Sequence, residues 1–266
     1  MAIQSFMSVY VEAMRPLFGD PAKEEAIITG SGFVLEHAEE FFLITNGHIV
    51  TGRDRLTEKP LGRASLPRTL RVKIPVEGPE VESGMALLGT QTMTLDLYDD
   101  QGRALWFSHP HAGLKFDVVA LPLVKPARRF PDLIGSYLPY HFSNDAPDLA
   151  PPDELSVVGF PFGLHGGVST AVWVRGSVAT EPDFLYQGEP CFLIDARTRE
   201  GQSGSPVIQR RIAGDSASSD YHLRGVYSSR VNPAETSKSS DLGRVWTSDV
   251  IAQILEGQSL GEVVYE

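Results

Sequence analysis

Short apolar runs separated by glycine, proline and polar residues dominate the chain, and this pattern predicts β-strands rather than helices. The run FFLI at 41–44 is apolar throughout and ends at the break TNG, which is typical of a buried strand. In the second half, strands are predicted at 154–160, 171–180, 191–195, 206–209, 223–229 and 243–247. Short strands with turn residues between them favour a small antiparallel barrel over a βαβ sheet.

The two ends of the chain have helical periodicity instead. In the segment 5–18, apolar residues recur at helical intervals, namely Phe6, Val9, Tyr10, Ala13 and Leu17. This spacing predicts an N-terminal helix packed on the first half of the chain. The sequence DVIAQILE at 249–256 predicts a short C-terminal helix whose apolar residues face inward.

A serine lies between two glycines in the sequence EGQSGSPV at 200–207. Gly201 and Gly204 allow backbone angles that other residues rarely adopt, so Ser203 is expected at the tip of a tight turn with outward-facing N–H groups. A serine hydroxyl is a weak nucleophile, and it needs a base, an acid that orients the base, and donors for an oxyanion. If Ser203 is a nucleophile, these partners must come from elsewhere in the chain.

A histidine and an aspartate occupy suitable positions upstream of this serine. His48 follows the apolar strand in TNGHIV at 45–50, and Asp117 stands at the start of the apolar run in FDVVALPL at 116–123. The order His48, Asp117, Ser203 is the chain order of a chymotrypsin-type catalytic triad. Aspartates in or beside a predicted hairpin turn, where solvated aspartates are common, are weaker candidates for the acid: Asp96, Asp99 and Asp100.

These motifs resemble those of trypsin-like (chymotrypsin-fold) serine peptidases of the compact bacterial type that lacks disulfides. The likeness is carried by GSGFVLE at 30–36, LITNGHIV at 43–50, FDVVALPL at 116–123, VVGFPFG at 157–163 and LIDARTREGQSGSPVI at 193–208. The resemblance implies an all-β fold of two six-stranded antiparallel β-barrels, with a short N-terminal and a C-terminal helix.

The same resemblance, combined with the proline-rich segment in the middle of the chain, gives a domain organisation. We expect an N-terminal helix and extension, a first barrel, an inter-barrel crossover, a second barrel, and a C-terminal helix and tail. The expected boundaries are 1–25, 26–124, 125–152, 153–248 and 249–266.

The resemblance also implies a serine endopeptidase, a hydrolase that cuts peptide bonds through an acyl-enzyme. Ser203 would attack the carbonyl carbon, His48 would act as general base and then as general acid, and Asp117 would orient the imidazole. The backbone N–H groups of Gly201 and Ser203 would form the oxyanion hole. The implied partner is a polypeptide substrate.

The resemblance also implies substrate-binding residues. Some belong to the base of the pocket for a substrate side chain, and others to a strand that pairs with the bound peptide. They are Arg197, Thr198, Ser228, Ser229 and Arg230. If arginines of this region, including Arg244, face the pocket, they favour an acidic substrate side chain, because guanidinium binds carboxylate bidentately. The alternative is that they face solvent or pair with Glu200 and Asp195.

Two positions depart from the resembling pattern. Trypsin-type zymogens carry an aspartate directly before the serine, which pairs with a newly freed N-terminal ammonium, whereas this chain has the uncharged Gln202. We therefore expect no cleavage-driven zymogen activation. Ser205 stands where most relatives have a second glycine, and its side chain must be accommodated behind the nucleophile.

Composition narrows the classes of function further. The chain has 266 residues and a formal net charge of -11, which argues against a nucleic-acid partner because no excess of Lys and Arg is present to neutralise phosphates. Cys191 is the single cysteine, so no intrachain disulfide can form. No His, Asp or Glu cluster has metal-ligand spacing, and neither a metal nor a cofactor is expected.

The sequence also bears on location. No uncharged run is long enough to span a bilayer. The N-terminal segment has no basic region followed by an apolar core and a cleavage site, so no secretory signal is expected. A cytoplasmic protein without a membrane partner is the resulting expectation.

Two other readings of the same residues stay open. In one, the chain is a catalytically latent or inactive trypsin-like module that binds a peptide or requires a regulatory partner protein for activation. In the other, the acyl-enzyme chemistry serves an esterase or a transferase.

Overall fold

The computed structural model describes residues 3–61, 66–80, 86–123, 139–143, 145–167, 170–210, 221–231 and 240–261. The N-terminal half forms an antiparallel sheet of eight strands, which includes the last strand of the chain. These strands are β1 (Ser8–Leu17), β2 (Asp20–His37), β3 (Glu40–Thr45), β4 (Thr69–Glu80), β5 (Ala86–Asp96), β6 (Phe107–Ser108), β7 (Val119–Pro122) and β14 (Ser259–Leu260). Their order across the sheet is β14-β6-β7-β3-β2-β1-β4-β5.

The C-terminal half forms a closed six-stranded barrel in the order β10-β13-β12-β11-β8-β9. Its strands are β8 (Glu154–Gly159), β9 (Val172–Val178), β10 (Cys191–Ala196), β11 (Pro206–Arg210), β12 (Tyr221–Arg230) and β13 (Leu242–Thr247). All neighbouring strands in the barrel are antiparallel. The all-β class and one six-stranded barrel are thus confirmed.

The predicted closure of the first half into a second six-stranded barrel is not found among the described residues. The sheet there has eight strands, and its edge strands β14 and β5 are not paired with each other. The physical reason is the long hairpin of β4 and β5, which pairs with β1 at one end of the sheet. The sequence analysis did not predict β4, although its buried residues Leu70, Val72 and Ile74 show the alternation of a half-buried strand.

The predicted N-terminal helix is wrong, because the segment from Ser8 to Leu17 forms β1 and only Ile3–Phe6 is helical, as a 3-10 turn. β1 is buried on both faces: Val9 and Val11 pack with the core of the N-terminal sheet, whereas Tyr10 packs between the two halves. A strand buried on both faces shows no apolar–polar alternation, so its apolar residues also fit a helical spacing.

Two α-helices complete the described structure: α1 (Gly47–Thr51), and α2 (Ser248–Gly257), which confirms the predicted C-terminal helix. Neither is long and apolar enough among the described residues to cross a membrane. Most of the predicted inter-barrel crossover at 125–152 lies outside the described residues, which resume at 139.

The two halves share one hydrophobic core. It contains Phe33 and Ile44 from the sheet, Phe160 and Trp246 from the barrel, and Ile251 from α2, all nearly inaccessible to solvent. Separate apolar clusters lie on the opposite face of β1 and β3 and inside the barrel. Burial of this shared interface stabilises one arrangement of the two halves. The loops at its edge therefore keep a fixed position relative to each other.

Candidate active site

His48 is presented by the sharp change from strand β3 to helix α1. The side chain of Asn46 donates a hydrogen bond to the backbone carbonyl of Asp117 at 2.6 Å, which joins the end of β3 to the segment before β7. A Cβ on Gly47 would lie 2.9 Å from Leu114 Cδ2 and 3.3 Å from Asp117 Oδ1. Glycine before His48 therefore lets the carboxylate approach the backbone closely.

The carboxylate of Asp117 lies against the imidazole of His48, with 2.7 Å between Oδ2 and Nδ1. The backbone N–H of His48 donates to Oδ1 at 2.8 Å, and the hydroxyl of Ser228 donates to Oδ2 at 2.7 Å. Asp117 is only 2% exposed. An ionised carboxylate accepts from Nδ1–H, so the neutral imidazole keeps its lone pair on Nε2.

The pKa values of the pair are shifted in opposite directions. Burial raises the pKa of Asp117, but the charge of His48 and the hydrogen bonds from His48 and Ser228 outweigh burial, and the net shift is downward. Burial lowers the pKa of His48, but the charge and hydrogen bond of Asp117, with a contribution from Asp54, raise it overall. The pair therefore favours an ionised Asp117 and an imidazole of raised basicity.

Ser203 lies on a tight turn before strand β11. Gly201 and Gly204 have φ values of +90° and +85°, and a Cβ on Gly204 would lie 2.0 Å from the backbone oxygen of Ser31. The backbone oxygen of Ser203 accepts a hydrogen bond from the N–H of Ser31 at 2.8 Å, and the N–H of Gly204 donates to Tyr227 at 2.8 Å. The turn is thus fixed on both sides by backbone hydrogen bonds.

One groove contains all three predicted triad residues. His48, Asp117 and Ser203 line a groove of about 560 Å³, together with Ser228, Ser229 and other residues. Between the described residues His48 and Ser203, no side-chain hydrogen bond is formed. The structure therefore brings the three together but joins only His48 and Asp117 directly.

The two N–H groups predicted for the oxyanion hole make no hydrogen bond to the part of the chain that the structure describes. Among the backbone hydrogen bonds of the described residues, neither Gly201 nor Ser203 donates its N–H. The carbonyl of Glu200 accepts from the N–H of Phe162 at 2.6 Å. Since C=O and N–H point in opposite directions across a trans peptide, the N–H of Gly201 points away from Phe162.

Ser31, which the sequence analysis did not single out, holds the nucleophile turn from the other half of the molecule. Its buried hydroxyl donates to the carbonyl of Gly201 at 2.8 Å and accepts from the N–H of Phe160 at 3.0 Å. The fully buried side chain of Gln202 accepts from the N–H of Arg199 at 2.8 Å. These neutral contacts support the turn at the place where a zymogen-type chain has an ion pair.

The predicted substrate-binding residues occupy three different environments. Ser229 is exposed and Arg230 is half-buried, and both line the groove. Arg197 is exposed, whereas Thr198 is fully buried. Ser228 directs its hydroxyl at Asp117, so its side chain supports the acid instead of facing a substrate.

Arg244 lines the groove but is engaged by an acidic residue that the sequence analysis did not consider. Its guanidinium donates to Glu189, and Arg55 binds the same carboxylate with two hydrogen bonds of 2.7 and 3.0 Å. Both arginines also lie over the ring of Trp246, at 5.7 and 5.3 Å from its centroid. Glu189 thus joins the segment after α1 to strand β13.

Two further findings concern the chemistry around the site. The hydroxyl of Ser205 is fully buried beside Gly159 and has no hydrogen-bond partner in the described part of the chain. No group of three or more His, Cys, Asp or Glu residues in that part could hold a metal ion. Burial raises the pKa of Cys191 to about 11, so this thiol is not a thiolate at neutral pH.

Comparison with known proteins gives a likeness in structure. No known protein family and no curated protein matches the sequence. The chain is similar to the active form of the Rv3671c protease from M. tuberculosis, with 17% identity, a TM-score of 0.47, and 98% of this chain and 84% of that chain covered. It is also similar to the inactive form, with 16% identity, a TM-score of 0.44, and coverages of 95% and 88%. At such low identities, an activity must be argued from the site itself.

Proposed function

We propose that this chain is a serine endopeptidase of the trypsin-like type, with His48, Asp117 and Ser203 as its triad. The observation that carries the proposal is the hydrogen-bonded unit of Ser228, Asp117 and His48 in the groove that Ser203 also lines. The backbone N–H groups of Gly201 and Ser203, which have no partner among the described residues, belong to the same turn as the serine. Together these groups supply a nucleophile, a base, an orienting acid and oxyanion donors.

The proposed reaction has two acyl-transfer steps. Ser203 Oγ adds to the carbonyl carbon of the scissile peptide bond, while its proton passes to Nε2 of His48. The adduct expels the amine, which takes that proton, and leaves an acyl-enzyme. Water then repeats the sequence, releases the carboxylic acid and restores Ser203. The first step requires Oγ to come within about 3 Å of Nε2.

The oxyanion that forms in each step would be bound by the N–H groups of Gly201 and Ser203. Each such donor is typically worth about 3 to 4 kcal/mol of transition-state stabilisation. Asp117, kept ionised by its hydrogen bonds, would stabilise the imidazolium that appears on His48 in the same transition state.

The test is covalent labelling by a small alkyl fluorophosphonate, together with cleavage of a denatured protein substrate. Wild type should be labelled at Ser203 and should release peptides, whereas Ser203→Ala and His48→Ala should do neither. Ser156→Ala, which removes a serine on β8, is the matched control and should behave as wild type. Cleavage that persists in Ser203→Ala would refute the proposal.

A latent site is the second candidate, and it is favoured by the lack of a hydrogen bond between His48 and Ser203, both of which the structure describes. A latent or partner-dependent module would show neither labelling nor cleavage until a peptide or partner protein is added. An enzyme that is ready to act would be labelled by fluorophosphonate alone.

A further inference from the structure

The position of a bound substrate follows from the groups at the nucleophile turn, and this inference rests on the proposed function. The substrate carbonyl oxygen is held by the N–H groups of Gly201 and Ser203. The register of β12 and β13 shifts between Tyr227 and Arg230, so Ser228 and Ser229 have no partner in β13. A substrate strand that pairs here directs the side chain before the scissile bond, the P1 side chain, between the segments 197–201 and 228–230.

The side chain of Tyr227 lies in the barrel core and reaches the first of those segments at Thr198. Its ring is 2% exposed, and its hydroxyl forms a 2.7 Å hydrogen bond with the hydroxyl of Thr198, which is 0% exposed. Burial raises the pKa of Tyr227 to about 12, so the hydroxyl stays neutral. Thr198 follows Arg197, the residue expected at the pocket base, and its side chain binds a tyrosine of the protein itself.

The ring of Tyr227 has little freedom to leave this position. A Cβ on Gly243 would lie 2.5 Å from Tyr227 Cε2, so the ring lies against the backbone of β13. The N–H of Tyr227 donates to Ser205 at 2.9 Å and its carbonyl accepts from Gly204 at 2.8 Å. The backbone is therefore fixed by the nucleophile turn, and the side chain is packed with Val245 in the barrel core.

The groove that Ser203 lines does not extend to Thr198 or Tyr227. The groove that contains the triad is lined by Ser229, Arg230, Arg244 and the segment after α1, but neither Thr198 nor Tyr227 is part of its wall. A P1 side chain that points between 197–201 and 228–230 meets the tyrosine ring at once. Glycine, alanine and serine fit such a shallow site, whereas leucine, phenylalanine, glutamate and arginine do not.

We propose that Tyr227 closes the P1 pocket and restricts the enzyme to substrates with a small P1 side chain. Tyr227 is thus the residue that determines specificity, and Thr198 is a positioning residue that fixes the tyrosine hydroxyl. An acidic P1 preference through Arg197 does not fit this arrangement, because Arg197 is exposed whereas Tyr227 and Thr198 are buried.

The experiment compares aminoalkyl diphenyl phosphonates that differ only in the P1 group: alanine, phenylalanine, glutamate or arginine analogues. Each reacts covalently with the active serine, so rates of inactivation report pocket fit without turnover. The alanine analogue should react with wild type at least about tenfold faster than any other, since a few methylene groups change transition-state binding by this much or more. Faster reaction of a large or charged analogue would overturn the inference.

Three variants show whether the tyrosine ring is the cause. Tyr227→Val should raise the rate of the phenylalanine analogue at least about tenfold relative to the alanine analogue. Tyr227→Phe and Thr198→Val keep the ring and should retain the preference for alanine. A Tyr227→Val enzyme with an unchanged preference would overturn the inference, and if that variant does not fold, the wild-type series decides alone.

The small alkyl fluorophosphonate, which carries no P1 side chain, distinguishes failure of this inference from failure of the proposed function. If it labels Ser203 while large P1 analogues react best, the function stands and the pocket inference is wrong. If it fails to label Ser203 at all, the proposed function fails, and the inference about P1 is lost with it.

Discussion

The carboxylate of Asp117 accepts hydrogen bonds from three groups: the ring and the backbone N–H of His48, and the hydroxyl of Ser228. These contacts decide the protonation states at the site. They lower the pKa of the acid and raise that of the imidazole against the opposing effect of burial. A base of raised pKa accepts a proton more readily, but it is protonated, and therefore unable to act, up to a higher pH.

We predict a pH profile for labelling and cleavage whose acid limb reflects His48. Activity is lost as pH falls through the His48 pKa, and the midpoint should lie above the ordinary value of 6.5. Asp117→Asn removes the charge that raises this pKa and leaves burial, which lowers it, so the midpoint should move to lower pH. The measurement is the labelling rate as a function of pH.

The control for this pH profile is Asp99→Asn. The Asp99 carboxylate binds Arg103 in an exposed turn, and the variant should leave the midpoint unchanged. An equal midpoint in Asp117→Asn and wild type would contradict the assignment of Asp117. Cleavage by Asp117→Asn should also fall by about 10⁴-fold, the effect typical of losing the orienting acid in a triad.

Ser205 offers a second test on single residues, because its hydroxyl is buried without a partner among the described residues. Ser205→Ala removes this group, and we expect the free energy of unfolding to rise by about 1 kcal/mol or to stay unchanged. The matched control is Thr45→Val, which removes a buried hydroxyl that donates to the carbonyl of Ser31 at 2.8 Å and should destabilise. Urea unfolding measures both, and a loss of stability in Ser205→Ala would contradict the prediction.

At the level of elements, the nucleophile turn belongs to the barrel but is held by strand β2 of the N-terminal sheet. The contact between Ser31 and the carbonyl of Gly201 joins residues 170 positions apart. The motif at 200–207 predicted the turn and its glycines from local backbone requirements. It could not predict Ser31 as the support, because that contact depends on how the two halves pack.

We predict that Ser31→Ala slows labelling of Ser203 by at least about tenfold, since the oxyanion turn loses a fixing hydrogen bond. Ser8→Ala is the matched control, because the buried hydroxyl of Ser8 donates to the carbonyl of Val158 on β8 at 2.8 Å, away from the turn. Both variants should lose about 1 kcal/mol of stability. Equal labelling rates in the two variants would contradict a specific role for Ser31.

The sequence also shows which elements can be predicted and which cannot. The strand before His48 was predicted from a short apolar run with a clear break after it, and helix α2 from apolar residues at helical spacing. β1 was misassigned because it is buried on both faces. β4 was missed although its apolar residues alternate with Arg71 and Lys73, whose side chains pair with Glu12 across the sheet.

At the scale of the whole molecule, ion pairs as well as apolar contacts join the two halves. Glu189 binds both Arg55, from the segment after α1, and Arg244, from the barrel, and the three side chains are largely buried. Two guanidinium groups share one carboxylate, so its removal leaves two buried like charges. Removal of this carboxylate lowers the free energy of unfolding far more than loss of an exposed ion pair does.

We therefore predict that Glu189→Gln lowers the free energy of unfolding by about 3 kcal/mol, measured by urea denaturation. The control is Glu154→Gln, which breaks the exposed pair with Arg175 on the barrel surface and should change stability little. Similar losses in both variants would show that the Glu189 cluster is no more important than a surface pair.

The hydrogen bond between Ser228 of the barrel and Asp117 of the sheet crosses the boundary between the halves. The reactivity of Ser203 therefore depends on the relative position of the two halves. A small shift of one half against the other would break this hydrogen bond while every strand stayed intact. Mild denaturant or pressure should thus abolish labelling of Ser203 before circular dichroism detects any loss of β-structure.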